Sequence, residues 1–181
     1  MGRNAEIKAR VASLEAFHAR AEALSAGEPS LIHQEDVFYH VESGRLKLRK
    51  LSASEGYLIA YRRNDSLGPK LSEYEIAPTE APEVLDTVLT RALGVRGVVR
   101  KRRWLYLVGP SRIHLDDVEG LGKFVEIEIV LADHQTEAEG HEAAIQIMDR
   151  LLIPRENLVE RAYIDLLEEI DARTDRISSP R

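Results

Sequence analysis

Polar and apolar residues alternate along much of this chain. Over residues 4–11, Ala5, Ile7, Ala9 and Val11 share one face of an extended segment, and Asn4, Glu6, Lys8 and Arg10 share the other. The same period of two predicts strands over 34–41, 45–49, 57–63, 72–76, 98–108, 112–118 and 123–131. Turn formers separate them: Glu42-Ser43-Gly44, the loop Asn64-Asp65-Ser66-Leu67-Gly68-Pro69-Lys70, Gly109-Pro110 and Glu119-Gly120-Leu121-Gly122. The period changes to that of a helix over 14–25, where Leu14, Phe17, Ala21 and Leu24 recur behind Ser13 as N-cap. Helices are also predicted over 83–93, stopped by Gly94, over 137–152, stopped by Pro154, and over 161–170. The polar residues 171–181 read as a frayed tail. Antiparallel hairpins with interspersed helices make this an α+β chain, one domain over 1–170 followed by that tail.

Composition narrows the function classes. A chain of 181 residues can bury one sizeable core. No stretch has the roughly 18 apolar residues of a membrane span. With Met1-Gly2-Arg3-Asn4 running straight into a strand, no signal peptide is expected. The absence of cysteine removes disulfides, thiolate metal sites and cysteine nucleophiles, and fits a cytoplasmic protein. A formal charge of −6 argues against general nucleic-acid binding.

The charges themselves are segregated by strand. Arg45, Lys47 and Arg49 share a face, two cations emerge on each side of the Arg100-Lys101-Arg102-Arg103 run, and Glu126 and Glu128 share a face opposite Val125, Ile127 and Ile129. A solvated sheet face mixes signs, because like charges side by side repel. A closed antiparallel barrel with a polar lumen accommodates both a purely basic and a purely acidic strand. A polyphosphate with a divalent metal would satisfy both walls: Arg and Lys take phosphate oxygens, and hard carboxylates take magnesium or manganese. Other chemistries find no support. There is no phosphate-binding Gly-x-x-x-x-Gly-Lys-Ser/Thr loop, no Gly-x-Ser-x-Gly elbow, and no pair of histidines at helical zinc spacing. His114, two residues before Asp116, is either a structural histidine or a lumen-facing one.

These residues resemble the CYTH superfamily, the triphosphate tunnel metalloenzymes, in the branch of the class IV adenylyl cyclases. The family's first-strand motif Glu-x-Glu-x-Lys stands here as Asn4-Ala5-Glu6-Ile7-Lys8. The likeness continues in order through Gly44–Arg49, Ile59–Arg63, Val99–Arg103, Ile113–Asp116, Leu121–Glu128 and Tyr163–Leu167. It implies a closed eight-stranded antiparallel tunnel with flanking helices. It also implies that Glu6, Glu126 and Glu128, with Asp116 nearby, are ligands of Mg2+ or Mn2+. Lys8, Arg45, Lys47, Arg62, Lys101 and Arg103 would then cradle the triphosphate, with Glu6, Lys8, Glu126 and Glu128 forming the catalytic set. Glu75 matches an acidic position near the substrate end, and Lys101 and Arg103 would face inward. Asn4 in place of the first Glu removes one carboxylate and weakens the case for a second metal.

The activity implied is conversion of ATP to cyclic AMP and pyrophosphate. The alternatives are hydrolysis of thiamine triphosphate or inorganic tripolyphosphate, and a non-catalytic module that binds nucleotide or polyphosphate. The implied partner is therefore a nucleoside, organic or inorganic triphosphate, without nucleic acid or membrane, and the resemblance leaves room for a homodimer.

Overall fold

In the computed structural model, which describes residues 2–63 and 70–178, eight antiparallel strands close into a barrel. In chain order the elements are β1 (Gly2–Val11), α1 (Glu15–Leu24), β2 (Ser30–Tyr39), β3 (Arg45–Ser52), β4 (Glu55–Arg63) and β5 (Lys70–Thr79). They continue with α2 (Pro82–Leu93), β6 (Val95–Val108), β7 (Ser111–Val118), β8 (Gly122–Val130), α3 (Glu137–Arg150) and α4 (Tyr163–Ser178). Around the barrel the order is β1-β5-β4-β3-β2-β6-β7-β8, returning to β1. Strands four places apart face one another, so acidic β8 stands across from basic β3, and β5 across from β6.

Closure turns the usual arrangement of a core inside out. The apolar faces point outward and are covered by helices. Ala5, Ile7, Ala9 and Val11 of β1, with Ile113, Leu115, Val125 and Ile127 of β7 and β8, pack against Phe17 and Ala21 of α1 and Ala144, Ile147 and Met148 of α3. On the far side Val37, Tyr39 and Leu48 pack against Leu85 and Leu89 of α2. The polar faces are left to line the lumen. One end of that lumen is sealed by Phe38, Val99 and Phe124 together with Ala162, Tyr163 and Ile164 at the start of α4. Gly97 permits this seal, since a Cβ there would lie 2.5 Å from Cδ1 of Ile164. The tunnel is therefore blind at the α4 end.

Most element boundaries agree with the pattern of the sequence, and the differences have local causes. Ser13 does not cap α1 from the N-cap position, which Leu14 occupies; its hydroxyl accepts from Glu15 N two residues on. Thr136 and Glu139 form a full capping box that starts α3 where the period predicts. β2 begins at Ser30 rather than 34, because Ser30–Gln34 complete a ladder with Lys101–Leu105 of β6. Of the frayed tail expected over 171–181, residues 171–178 instead continue α4, a stretch that contains no Gly or Pro to stop it, and 179–181 lie outside the described residues. The turn expected over 64–69 lies outside the described residues, and Lys70 already belongs to β5. Among the described residues, no helix is long and apolar enough to cross a membrane.

Candidate functional site

A cavity of about 420 Å³ occupies the lumen, within the ~300–1,000 Å³ typical of small-molecule sites. Among the described residues, Lys8, Lys47, Arg49, Lys101, Arg103 and Arg112 line it with positive charge and Glu6, Asp36, Glu126 and Glu128 with negative charge. The lumen thus carries a cationic excess inside a chain whose formal charge is −6. A concave, enclosed excess of this kind focuses potential on an anion.

Two buried carboxylates hold the cations in place. Asp116 is wholly buried. Its Oδ1 accepts from Arg103 Nε at 2.7 Å, and its Oδ2 from a terminal nitrogen of Arg103 at 2.5 Å, from Lys101 Nζ at 3.0 Å and from the Tyr163 hydroxyl at 3.0 Å. Burial pushes the Asp116 carboxyl up, but Arg103 and Lys101 override it and hold the group at about 2. Asp36 does the same for β3. Lys47 Nζ lies 2.8 Å from its Oδ2 and Arg49 Nε 3.0 Å from its Oδ1, while Gln34 Nε2 donates to Oδ2 at 2.9 Å. Burial also lowers the Lys47 ammonium, to about 8; Asp36 opposes this, and Arg49 and Lys101 add to it. Lys47 is depressed despite its short ion pair because burial outweighs the attraction of Asp36, which Arg49 also engages.

Glu126 is likewise engaged by cations. Lys8 Nζ is 3.1 Å from its Oε1, and Arg103 pairs with its Oε2. Lys8 and Lys101 also lie over the Tyr163 ring, at 4.0 and 4.8 Å from its centroid, so one aromatic ring stabilises both ammonium groups. His114 lines the cavity between the two glutamates, Nδ1 3.7 Å from Glu126 and Nε2 3.8 Å from Glu128; burial is the largest of the effects that lower its pKa.

The sequence-derived candidates therefore divide. Glu6, Lys8, Lys47, Lys101, Arg103, Glu126 and Glu128 meet in one cavity. Arg45 does not line it, and its terminal nitrogen pairs instead with Asp165 of α4 at 2.9 Å. Arg62 is exposed and alternates with Ile59 and Tyr61, which face inward, so it belongs to the outer surface. Glu75 is exposed between the inward-facing Tyr74 and Ile76. Asp116 lies behind Lys101 and Arg103 rather than on the cavity, with its oxygens occupied by them and by Tyr163. Arg49, Asp36, Asn4, Arg112 and Tyr163 were absent from the sequence-derived site. The first two share the alternation that selects Lys47 and Gln34, a signal already present in the strands, whereas Tyr163 arrives only through the docking of α4.

A divalent metal has a suitable set of oxygens, smaller than the one the resemblance implies. Among the described residues, no three Asp, Glu or His side chains converge into a complete metal cage. Glu6 and Glu128 are direct cross-strand partners and both face the cavity. Beside them Asn4 donates from Nδ2 to Glu128 Oε1 at 2.6 Å, which leaves its buried Oδ1 with no hydrogen-bond partner in the structure. The reverse amide orientation would set Oδ1 against the carboxylate. Two carboxylates and one amide oxygen suit Mg2+ or Mn2+, which keep several waters and take further ligands from phosphate.

Two outcomes are expected. Asn4→Asp adds charge beside Glu6 and Glu128 and sets a carboxylate against Glu128. It should tighten Mn2+ binding, followed by EPR without substrate, while lowering the Tm of the metal-free protein. Asp116→Asn removes one partner of a buried pair and should cost about 3–5 kcal/mol at pH 7 in denaturant unfolding. Since the folded pKa of Asp116 lies below its usual 3.8, the wild type holds this contribution above about pH 4 and loses it as pH falls towards 2. The variant should therefore show a shallower loss of Tm across that window.

Comparison with known proteins places the fold. A Pyrococcus horikoshii protein of known structure superimposes with a TM-score of 0.77 at 28% identity, covering 90% of this chain and 98% of that one. A Hippeastrum protein described as an adenylyl cyclase with a dominant triphosphatase activity shares the fold, with a TM-score of 0.62 at 19% identity over 93% of this chain and 96% of its own. The adenylate cyclase CyaB of Aeromonas hydrophila is 27% identical over 177 residues, 91% of this chain and 88% of that protein. The model of the CYTH domain matches residues 2–163, which together with the closed barrel and its charged lumen means that this chain belongs to the CYTH family.

Proposed function

We propose that the tunnel binds a triphosphate and that the chain hydrolyses one of its phosphoanhydride bonds with the help of a divalent metal. The observation that carries this reading is the cationic excess of an enclosed cavity in which Asp116, behind Lys101 and Arg103, and Asp36, beside Lys47 and Arg49, already hold the cations in place. Cations fixed before the ligand arrives stabilise developing charge without reorganising during the reaction. A flexible surface cluster would first have to order its side chains.

Arg49, Arg103 and Arg112 present planar donors suited to phosphate oxygens, and Lys8, Lys47 and Lys101 act as point charges between them. Asn4, Glu6 and Glu128 would hold Mg2+ or Mn2+, which when bound neutralises phosphate charge and acidifies coordinated water. The residues of the chain position the chemistry. When water adds to phosphorus and the bridging P–O bond breaks, one proton of the water passes to solvent or to the departing phosphate, and the charge that appears on the leaving oxygen falls among the lumen cations. The seal formed by Phe38, Val99, Phe124 and Tyr163 excludes bulk water from the blind end, which strengthens those interactions.

A second reading, cyclisation of ATP with release of pyrophosphate, is supported by the adenylate cyclase name of the Aeromonas relative. Incubation with ATP and with tripolyphosphate, each with Mg2+ or Mn2+, separates the two. Orthophosphate from both substrates is the expected result, and cyclic AMP with pyrophosphate from ATP would establish the second reading instead. Binding without any turnover would reduce the protein to a polyphosphate-binding module. Glu6→Gln should lower metal-dependent turnover at least about 100-fold, the scale of losing one electrostatic participant in a reaction.

A further inference from the structure

The lining of the tunnel changes character along its length. On β6 the inward positions run Val99, Lys101, Arg103, Leu105, Leu107, and on β2 they run Phe38, Asp36, Gln34, Ile32. Ile59 of β4 and Ile76 of β5 are direct cross-strand partners and also face inward. Charge thus occupies the middle of the tunnel, and aliphatic side chains take over toward the open end. Leu107 and Ile76 mark that end, since they are 55% and 49% exposed. β5 and β6 lie four strands apart, so Ile76 faces Leu105 and Leu107 across the mouth.

This collar has little with which to read a hydrogen-bonding pattern. Ile32, Ile59, Ile76, Leu105 and Leu107 carry no polar side-chain atom. β4 is paired on both edges by β3 and β5, and β6 by β2 and β7, which commits their backbone groups to the sheet. The polar rim residues Tyr74 and Arg112 sit at the Glu128 corner, where Arg112 is the cross-strand partner of Glu128 and the Glu128 charge acts on the Tyr74 hydroxyl. A nucleobase gains selectivity from donors and acceptors on its edge, and a site with none to match them cannot tell one base from another. Aliphatic side chains from β2, β4, β5 and β6 next to a charged cavity, with Ile76 and Leu107 exposed at its mouth, instead favour an apolar group that continues outward from the phosphates.

Resting on the triphosphate reading above, we propose that the substrate is a polyphosphate monoester whose organic group is aliphatic, held by the collar of Ile32, Ile59, Ile76, Leu105 and Leu107. The anionic end enters among the lysines and arginines, and the alkyl end displaces water from the mouth. Recognition of the organic part is by apolar surface rather than by base edges.

Calorimetric binding with Mg2+ present tests this, with tripolyphosphate, isopentyl triphosphate, ATP, GTP and CTP as probes. The expected result is that isopentyl triphosphate binds at least about ten-fold tighter than tripolyphosphate, a difference of about 1.4 kcal/mol. The three nucleotides should bind within about three-fold of one another. In the double variant Ile76→Ser/Leu107→Ser, the affinity ratio between isopentyl triphosphate and tripolyphosphate should collapse toward one. Equal affinity for isopentyl triphosphate and tripolyphosphate in the wild type would overturn the aliphatic assignment while leaving triphosphate binding in place. A preference of ten-fold or more for ATP over GTP and CTP would overturn it as well, by showing that the base is read. Failure of tripolyphosphate itself to bind would overturn the triphosphate reading and the collar's role together.

Discussion

Lysines and arginines can be buried in a tunnel only if something neutralises them, and the rest of this structure depends on how that is done. Asp116 takes Lys101, Arg103 and Tyr163, and Asp36 takes Lys47, Arg49 and Gln34. Each carboxylate serves two cations, so the neutralisation is incomplete and a positive excess remains on the cavity side. Desolvating such groups costs several kcal/mol per ion, and a buried pair rarely returns more than it costs. The arrangement is therefore poor evidence for stability and good evidence for function. The stability comes from elsewhere, from the apolar outer faces of β1, β7 and β8 beneath α1 and α3.

The same constraint links fold to chemistry. Closing the sheet puts the acidic β8 across from the basic β3, so neither strand faces its own kind. α4 completes the enclosure from one end: Tyr163 reaches Asp116 and lies under Lys8 and Lys101, and Asp165 is bound by Arg45 and Arg96. A tunnel blind at one end, charged in its middle and aliphatic at its mouth is directional. A linear ligand with one anionic end has a single favourable way in.

Much of this was legible in the sequence, because alternation is a reliable guide wherever one face of a strand is uniformly apolar. β1 and β8 are such strands, and the inward placement of Glu6, Lys8, Glu126 and Glu128 follows from their patterns. β4 is not: Ile59 and Tyr61 alternate with Leu58 and Ala60, both faces are apolar, and the period alone does not place Arg62. Arg45 has the correct parity but lies at the end of β3, where Asp165 of α4 draws it away. The division of carboxylates into counter-ions of the lysines and arginines and carboxylates left facing the cavity was not legible at all. It depends on which cation stands behind each one, as Lys101 and Arg103 stand at Asp116, and no local period encodes a distance across a barrel. Asn4 shows the reverse case. Its departure from the family motif is plain in the sequence, but the unpartnered oxygen that gives it a role emerges only once its amide is seen donating to Glu128.

The central claim is that anion binding belongs to the preorganised lumen and not to the basic surface. Affinity for tripolyphosphate, measured by calorimetry on the wild type, Arg49→Ala and Arg62→Ala, tests it most directly, since the two arginines differ in facing the cavity or the solvent. The account predicts that Arg62→Ala binds as the wild type does and that Arg49→Ala binds at least about ten-fold more weakly, the loss of one charge-assisted contact. An Arg49→Ala variant with unchanged affinity, or an Arg62→Ala variant weakened as much, would contradict it.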